Sequence, residues 1–225
     1  HKVAMYYFTG TIQDGVLIIR PEDATLWVRR LYERAVNESE FADIRPMHSF
    51  REVAAAYGDI PDKIYVEKKR ATLDWLDMLN KYFQFKEVGS IDKALVEIRK
   101  IKTPFEIGLM KESGKIHEYV LDVFAPTIIR EGISETELAI SLYKQMVAMG
   151  SHGTARFNMA MGEEAVGIAA FGKSGLVKTA FDGPGGTNGT CIAMPSIGRA
   201  ARMLREHQTV YLDIPCGVEG YHPDK

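Results

Sequence analysis

Along the first hundred residues, short runs rich in aromatic and β-branched side chains alternate with segments whose apolar positions recur at helical spacing. Residues 5–9, 15–20 and 25–28 read as strands, separated by Gly10 and by Pro21-Glu-Asp23. Residues 31–37 and 50–57 read as short helices. Residues 63–67 predict a further strand, and Leu73, Leu76, Leu79 and Phe83 form a helical stripe over 71–83. Residues 86–90 return to strand and 92–99 to helix, with Ser90 or Asp92 available as cap. Strands interleaved with helices imply an α/β domain with a sheet at its centre, over residues 1–102.

Thr103-Pro104 then opens a helix, because proline suits the first helical turn and Glu106 complements the helix dipole there. The predicted helix spans 104–124, carries Ile107, Met110, Ile116, Tyr119, Val120 and Val123 as its apolar face, and stops at Pro126. Ser134-Glu-Thr-Glu137 has the form of a capping box and starts a second helix running to Gly150. Beyond Gly150 the helical period vanishes, glycines become frequent, and 165–171, 191–194 and 210–214 predict strands. Two helices followed by strands imply an α+β domain over 103–225.

Composition narrows the class. Of 225 residues, 46% are hydrophobic, and 28 basic side chains against 30 acidic ones leave a net charge of −2. That balance excludes a disordered chain and a dedicated nucleic-acid binder, which would carry a basic excess. No apolar run approaches the roughly 20 residues that span a bilayer, so no membrane partner is expected. Cys191 and Cys216 match neither a disulfide framework nor a zinc pattern, which suits a reducing, cytoplasmic setting. His1 and His48 stand alone in the first domain, which carries no chemical motif. The chain opens on His1 and closes on Lys225 directly after a hairpin pattern, so a truncated chain is expected.

The chemistry concentrates in the last thirteen residues, Asp213-Ile-Pro-Cys-Gly217-Val-Glu-Gly220-Tyr-His-Pro-Asp224-Lys225. If the chain reverses about Val218 and Glu219, facing residues sum to 437, which pairs Gly217 with Gly220, Pro215 with His222 and Asp213 with Asp224. Directly opposed side chains have Cβ atoms about 4.5–5.5 Å apart, where like charges repel. A divalent cation resolves that conflict, and two such carboxylates can bridge a metal pair about 3.5–4 Å apart. Solvated turn residues or caps are the plain alternative for both aspartates. Pro215 and Pro223 lack the N–H of a regular ladder, which predicts a partly irregular hairpin.

Leu212-Asp213 followed by Gly220-Tyr221-His-Pro-Asp224 resembles the Asp...Gly-Tyr-x-x-Asp segment of the pita-bread metallopeptidases, the group of methionine aminopeptidase, aminopeptidase P, prolidase and creatinase. Arg99-Lys-Ile-Lys-Thr-Pro-Phe-Glu106 resembles the stretch that opens their catalytic domain, Gly132-Ile-Ser-Glu-Thr-Glu-Leu138 their second helix, and Tyr6-Tyr-Phe-Thr-Gly10 their amino-terminal domain. The motifs are collinear over nearly the whole chain. The resemblance implies a creatinase-like α/β amino-terminal domain followed by the first half of an α+β pita-bread domain. It also implies two divalent ions (Mn²⁺, Co²⁺ or Zn²⁺) held by Asp213 and Asp224 with one His and two Glu encoded beyond Lys225, where the catalytic residues would also lie. The implied substrate is a peptide with proline at the second position, and family habit implies a homodimer. Two carboxylates alone hold a divalent ion weakly, so this polypeptide by itself is expected to be inactive.

One departure stands out. These peptidases usually carry a His on the strand before the first metal Asp, and counting back 17 residues from Asp213 reaches Ser196, within Cys191-Ile-Ala-Met-Pro-Ser196, which has no His. The preceding run Asp182-Gly-Pro-Gly-Gly-Thr-Asn-Gly189 resembles an expanded form of the family's Gly-x-Asn loop and lacks the lysine and helix of a phosphate cradle. His152 is the candidate compensating imidazole, with an ordinary loop histidine as the alternative, and Arg156 the candidate partner of a substrate carboxylate. His222 would share a face with Asp224. Besides a metal-dependent Xaa-Pro exopeptidase, two readings stay open: a non-catalytic peptide-binding module, and a creatinase-like, metal-free C–N hydrolase.

Overall fold

The computed structural model describes residues 1–156, 163–178 and 185–223, and at Glu164 the backbone only. The chain separates into two compact units, residues 1–101 and 102–225. No described helix is long and apolar enough to cross a membrane.

In the first unit, helix α1 (Lys2–Thr9) precedes strands β1 (Gly15–Ile19) and β2 (Ala24–Val28), helix α2 (Tyr32–Glu38), strand β3 (Ile44–Pro46) and helix α3 (Phe50–Ala56). Strand β4 (Lys63–Val66), helix α4 (Leu73–Phe83), strand β5 (Glu87–Ser90) and helix α5 (Asp92–Lys100) complete it. β1 and β2 are antiparallel, with Val16 opposite Trp27, while β2 pairs with β3, and β4 with β5, in parallel. β2 is buried on both faces: Leu26 and Val28 pack with Ala35 of α2, and Trp27 packs with Met47, Phe50 and Val53. Trp27 satisfies its indole N–H by donating to the Tyr57 hydroxyl at 2.8 Å. The first unit thus holds a three-stranded sheet of β1, β2 and β3 and a separate two-stranded one of β4 and β5 where a single sheet is expected, and residues 5–9 are helical, not strand. Aromatic and threonine residues carry only a weak strand preference, and Gly10, at φ 71°, closes α1 by donating its N–H to the Tyr6 carbonyl.

In the second unit, α6 (Pro104–Glu118) passes through a π-helical turn (Tyr119–Phe124) into α7 (Ala125–Ile128). Helix α8 (Glu135–Ala148), the short antiparallel strands β6 (Ala155–Arg156) and β7 (Glu163–Glu164), strand β8 (Ile168–Phe171), a 3₁₀ turn (Gly172–Leu176) and strand β9 (Val210–Asp213) follow. Pro126 does not end the helical rod. The wider π turn just before it re-spaces the carbonyls that a proline ring would otherwise strike, and the rod continues to Ile128. Residues 191–194 are no strand: Cys191 and Met194 exchange backbone hydrogen bonds across a tight turn. Ser134 caps α8 by accepting the Glu137 N–H at 3.0 Å, while Glu137 itself takes the Arg130 guanidinium at 3.1 Å, so the serine half of the capping box is what the structure shows.

β8 and β9 are antiparallel, with Ile168 opposite Asp213. Ile168, Ala169, Ala170 and Phe171 are all fully buried, and α8 lays Leu138, Ala139, Leu142 and Met146 over the same core. At the N-terminus of α8, Glu135 is completely buried and accepts two backbone N–H groups, from Phe171 and Arg199, both at 2.9 Å. It therefore ties α8 to β8 and to the loop that follows the glycine-rich run. Glu135→Ala leaves two buried donors without acceptors and is expected to cost about 2–6 kcal/mol. Glu135→Gln keeps one acceptor oxygen and is expected to cost about half as much, measurable by urea unfolding of the second unit.

Candidate functional site

Strand β9 delivers Asp213 to the end of the sheet, half-buried, with its carbonyl directly over Gly167. A Cβ on Gly167 would lie 2.1 Å from that oxygen, and the backbone there has φ +78°, so a glycine is needed twice over. The Tyr211 hydroxyl, two residues earlier on the same face, donates to Asp213 Oδ2 at 3.4 Å. The described end of the glycine-rich run, residues 185–189, brings Gly185 against the Tyr211 ring, so this run lies beside Asp213 and lines the site.

Past Asp213 the chain leaves the sheet and turns back through Glu219 and Gly220, at φ 47° and 81°. Val218 and Tyr221 exchange backbone hydrogen bonds, both 2.9 Å. Facing residues here sum to 439, not the predicted 437, so the two-residue turn lies one position later than Val218-Glu219. Two positive φ values define the hairpin turn that matches strand twist, and a glutamate accepts the first of them in this sequence. The Val218–Tyr221 bridge is not extended into a ladder within the described residues, in keeping with the prolines on either arm. Asp224 lies outside the described residues, and so does the relation between the two aspartates.

Two sets of anchors hold this segment. On one side, α6 supplies Glu106, which accepts the Tyr221 hydroxyl at 3.1 Å, and His117, whose Nε2–H donates to the Ile214 carbonyl at 2.6 Å. Glu106 also completes a true capping box: it accepts the Thr103 N–H at 2.7 Å, and Thr103 Oγ1 accepts the Glu106 N–H at 3.3 Å. The Thr103 N–H, and then the hydroxyls of Thr103 and Tyr221, hold the Glu106 carboxyl below the usual carboxylate range although burial pushes it up. On the other side, the loop after α8 engages the same segment. Ser151 Oγ accepts the N–H of Gly217 (3.2 Å) and of Gly153 (3.3 Å), the His152 N–H donates to the Gly217 carbonyl (2.8 Å), and the Arg156 N–H donates to His222 Nε2 (3.1 Å).

The structure thus brings His152, Arg156 and His222 to the hairpin, with the two imidazoles 6.4 Å apart between centroids. The Arg156 guanidinium pairs with Glu163 at 2.9 Å, so a substrate carboxylate would have to compete with that glutamate. Ser196 lies in an exposed loop, its hydroxyl on the Met194 sulfur at 3.4 Å, next to Ile197, which bridges to Ile168 of β8. Sequence reasoning gives Glu106 only a place in the first turn of its helix and does not single out His117, Ser151 or Tyr211. The Thr103/Glu106 spacing was the one available signal, since it has the Thr-x-x-Glu form of a capping box.

Residues 1–101 match the family described as the Creatinase/Prolidase N-terminal domain. No curated protein matches the sequence. Among solved structures, the prolidase from Pyrococcus furiosus is similar over 100% of this chain and 62% of its own, with a TM-score of 0.76 and 23% identity. An X-Pro aminopeptidase from Thermotoga maritima is similar over 99% and 57%, with a TM-score of 0.76 and 21% identity. A Xaa-Pro dipeptidase from Bacillus anthracis is similar over 100% and 57%, with a TM-score of 0.75 and 21% identity. The fold is therefore a creatinase-like α/β amino-terminal domain followed by part of a pita-bread domain, and the chain spans about 57–62% of the length of these proteins.

The packing of His152 has a measurable consequence. A Cβ on Gly217 would come within 2.3 Å of His152 Nε2, so the imidazole rests on bare backbone. Burial of that edge, and then the Arg156 charge, hold the His152 pKa below its ordinary 6.5. The fold prefers the neutral ring. Its contribution is complete above the unfolded pKa of about 6.5 and is lost as pH falls from there through the lower folded pKa. Gly217→Ala is expected to push the ring into solvent and return its titration toward 6.5, read from the His152 ring protons by NMR; an unchanged titration would refute the packing.

Proposed function

We propose that this chain is part of a metal-dependent exopeptidase acting on Xaa-Pro peptides. The observation that carries the reading is Asp213 at the end of β9, leading into an anchored, irregular hairpin with the Gly-Tyr-x-x-Asp spacing, inside a fold similar to prolidases and aminopeptidases. Asp213 and Asp224 would hold the metal pair, together with one His and two Glu from the remainder of the full-length protein. Oxygen donors of this kind suit Mn²⁺, Co²⁺ or Zn²⁺. Among the described residues no three His, Cys, Asp or Glu side chains converge on one point, so Asp213 is the one proposed ligand whose surroundings are visible. Its fit is good in one respect: it is a half-buried carboxylate at the end of a strand, steadied by the Tyr211 hydroxyl at 3.4 Å. When bound, the ions would polarise the scissile carbonyl and lower the pKa of a bound water.

The chain's own residues would orient the reaction. Tyr211 steadies the Asp213 carboxylate, and His222, accepting the Arg156 N–H through Nε2, is held with its other nitrogen protonated. His152 is proposed as the compensating imidazole in place of the one missing at Ser196, and Arg156 as the partner of a substrate carboxylate once released from Glu163. A homodimer in a cytoplasmic setting belongs to the same proposal.

The full-length protein loaded with Mn²⁺ or Co²⁺ is expected to cleave Xaa-Pro substrates, and the 225-residue chain alone is expected to be inactive. Asp213→Asn in the full-length protein should lower kcat/KM by at least about 100-fold, more than the loss typical of outer-shell partners. Metal analysis that finds no ion, with Asp213→Asn hydrolysing at the wild-type rate, would sink the proposal. Retained peptide binding without hydrolysis would instead favour the non-catalytic module.

A further inference from the structure

The buried face of α6 is unusual. The predicted apolar stripe is divided: Ile107 is 42%, Tyr119 42% and Val123 54% accessible, while Ile116 and Val120 are buried. The residues of α6 that are buried are Glu106, Ser113, Ile116 and His117, three of them polar. A buried polar residue is costly unless it has partners, and for Glu106 and His117 the partners lie on the hairpin segment, whereas Ser113 reaches it only through its backbone carbonyl. Glu106 receives Tyr221, the Ser113 carbonyl faces the Cys216 thiol at 3.8 Å, and His117 donates to Ile214. The order is antiparallel. As the helix number rises from 106 through 113 to 117, the hairpin number falls from 221 through 216 to 214. Glu106 and His117 are eleven residues apart, close to three full turns, so both lie on one face about 16 Å apart.

We infer that α6 is a template that sets the register of the segment from Ile214 to Tyr221, with Glu106 and His117 as positioning residues for the carboxylate arms on either side of it. His117 fixes the peptide next to Asp213, and Glu106 fixes the tyrosine three residues before Asp224. The register claim stands on the hydrogen bonds alone. Its consequence for metal binding rests on the proposed function.

The test separates the two. In the full-length protein, Tyr221→Phe removes one hydroxyl and keeps the ring. It is expected to speed amide hydrogen exchange at Val218 and Tyr221 by about tenfold or more. It should also weaken Mn²⁺ binding, read by electron paramagnetic resonance, by about 10- to 100-fold, and lower kcat with KM unchanged. Thr103→Ala removes the helix cap but leaves the Tyr221–Glu106 bond. It should lower the melting temperature without changing exchange at those amides or Mn²⁺ affinity. Exchange in Tyr221→Phe equal to wild type, or an equal effect from Thr103→Ala, would overturn the inference. A wild-type protein that binds no Mn²⁺ while Tyr221→Phe still loosens the hairpin would sink the metal reading and uphold the template.

Discussion

Between Asp213 and Val218 the chain has left its sheet, yet Ile214, Cys216 and Gly217 are buried. Backbone groups taken out of water without a ladder must find other partners or cost about 1–3 kcal/mol each. Much of the second unit answers that demand. The Ile214 carbonyl is met by His117, and both polar groups of Gly217 are met by the loop after α8. A helix with a polar inner face and a glycine at 217 that admits the His152 ring are consequences of routing one irregular segment through the interior.

This routing explains which parts of the fold were readable from sequence. Caps and breakers act locally, so Thr103-Pro104, Ser134 and Gly150 mark helix ends that the structure reproduces. The both-face burial of β2 gives an apolar run that reads as strand without knowledge of its neighbours. The inner face of α6 could not be read this way, because periodicity counts apolar residues. There three of the four buried residues are polar, and an apolar position such as Ile107 is accessible. The one-residue error in the hairpin has a similar origin: Glu219 adopts φ 47°, a conformation that composition assigns to glycine or asparagine first.

The candidate site divides along the same line. Asp213, His152, Arg156 and His222 were reachable by motif or spacing, since each lies on or beside the hairpin sequence. Glu106, His117 and Ser151 are brought to it from 66 to 115 residues away in the chain. Nothing in a single sequence marks such distant partners, save that Glu106 doubles as a cap. The glycine-rich run shows the intermediate case: its composition predicts close approach, but only the fold shows that Gly185 meets Tyr211, the residue that holds Asp213.

Under the proposed reading, the energetics of the anchors acquire a purpose. Carboxylates that share an ion repel one another before it binds. An ion removes that repulsion once bound, but the apo protein must withstand it. The Tyr221–Glu106 bond involves a charged acceptor and is worth about 1.5–3 kcal/mol, and the His117–Ile214 bond about 1 kcal/mol. Held by its backbone in this way, the segment that leads from Asp213 to Tyr221 would meet a metal already in register, and the binding free energy would not be spent on folding the hairpin. The same balance makes the anchors most consequential in the apo protein, where no ion shares the load.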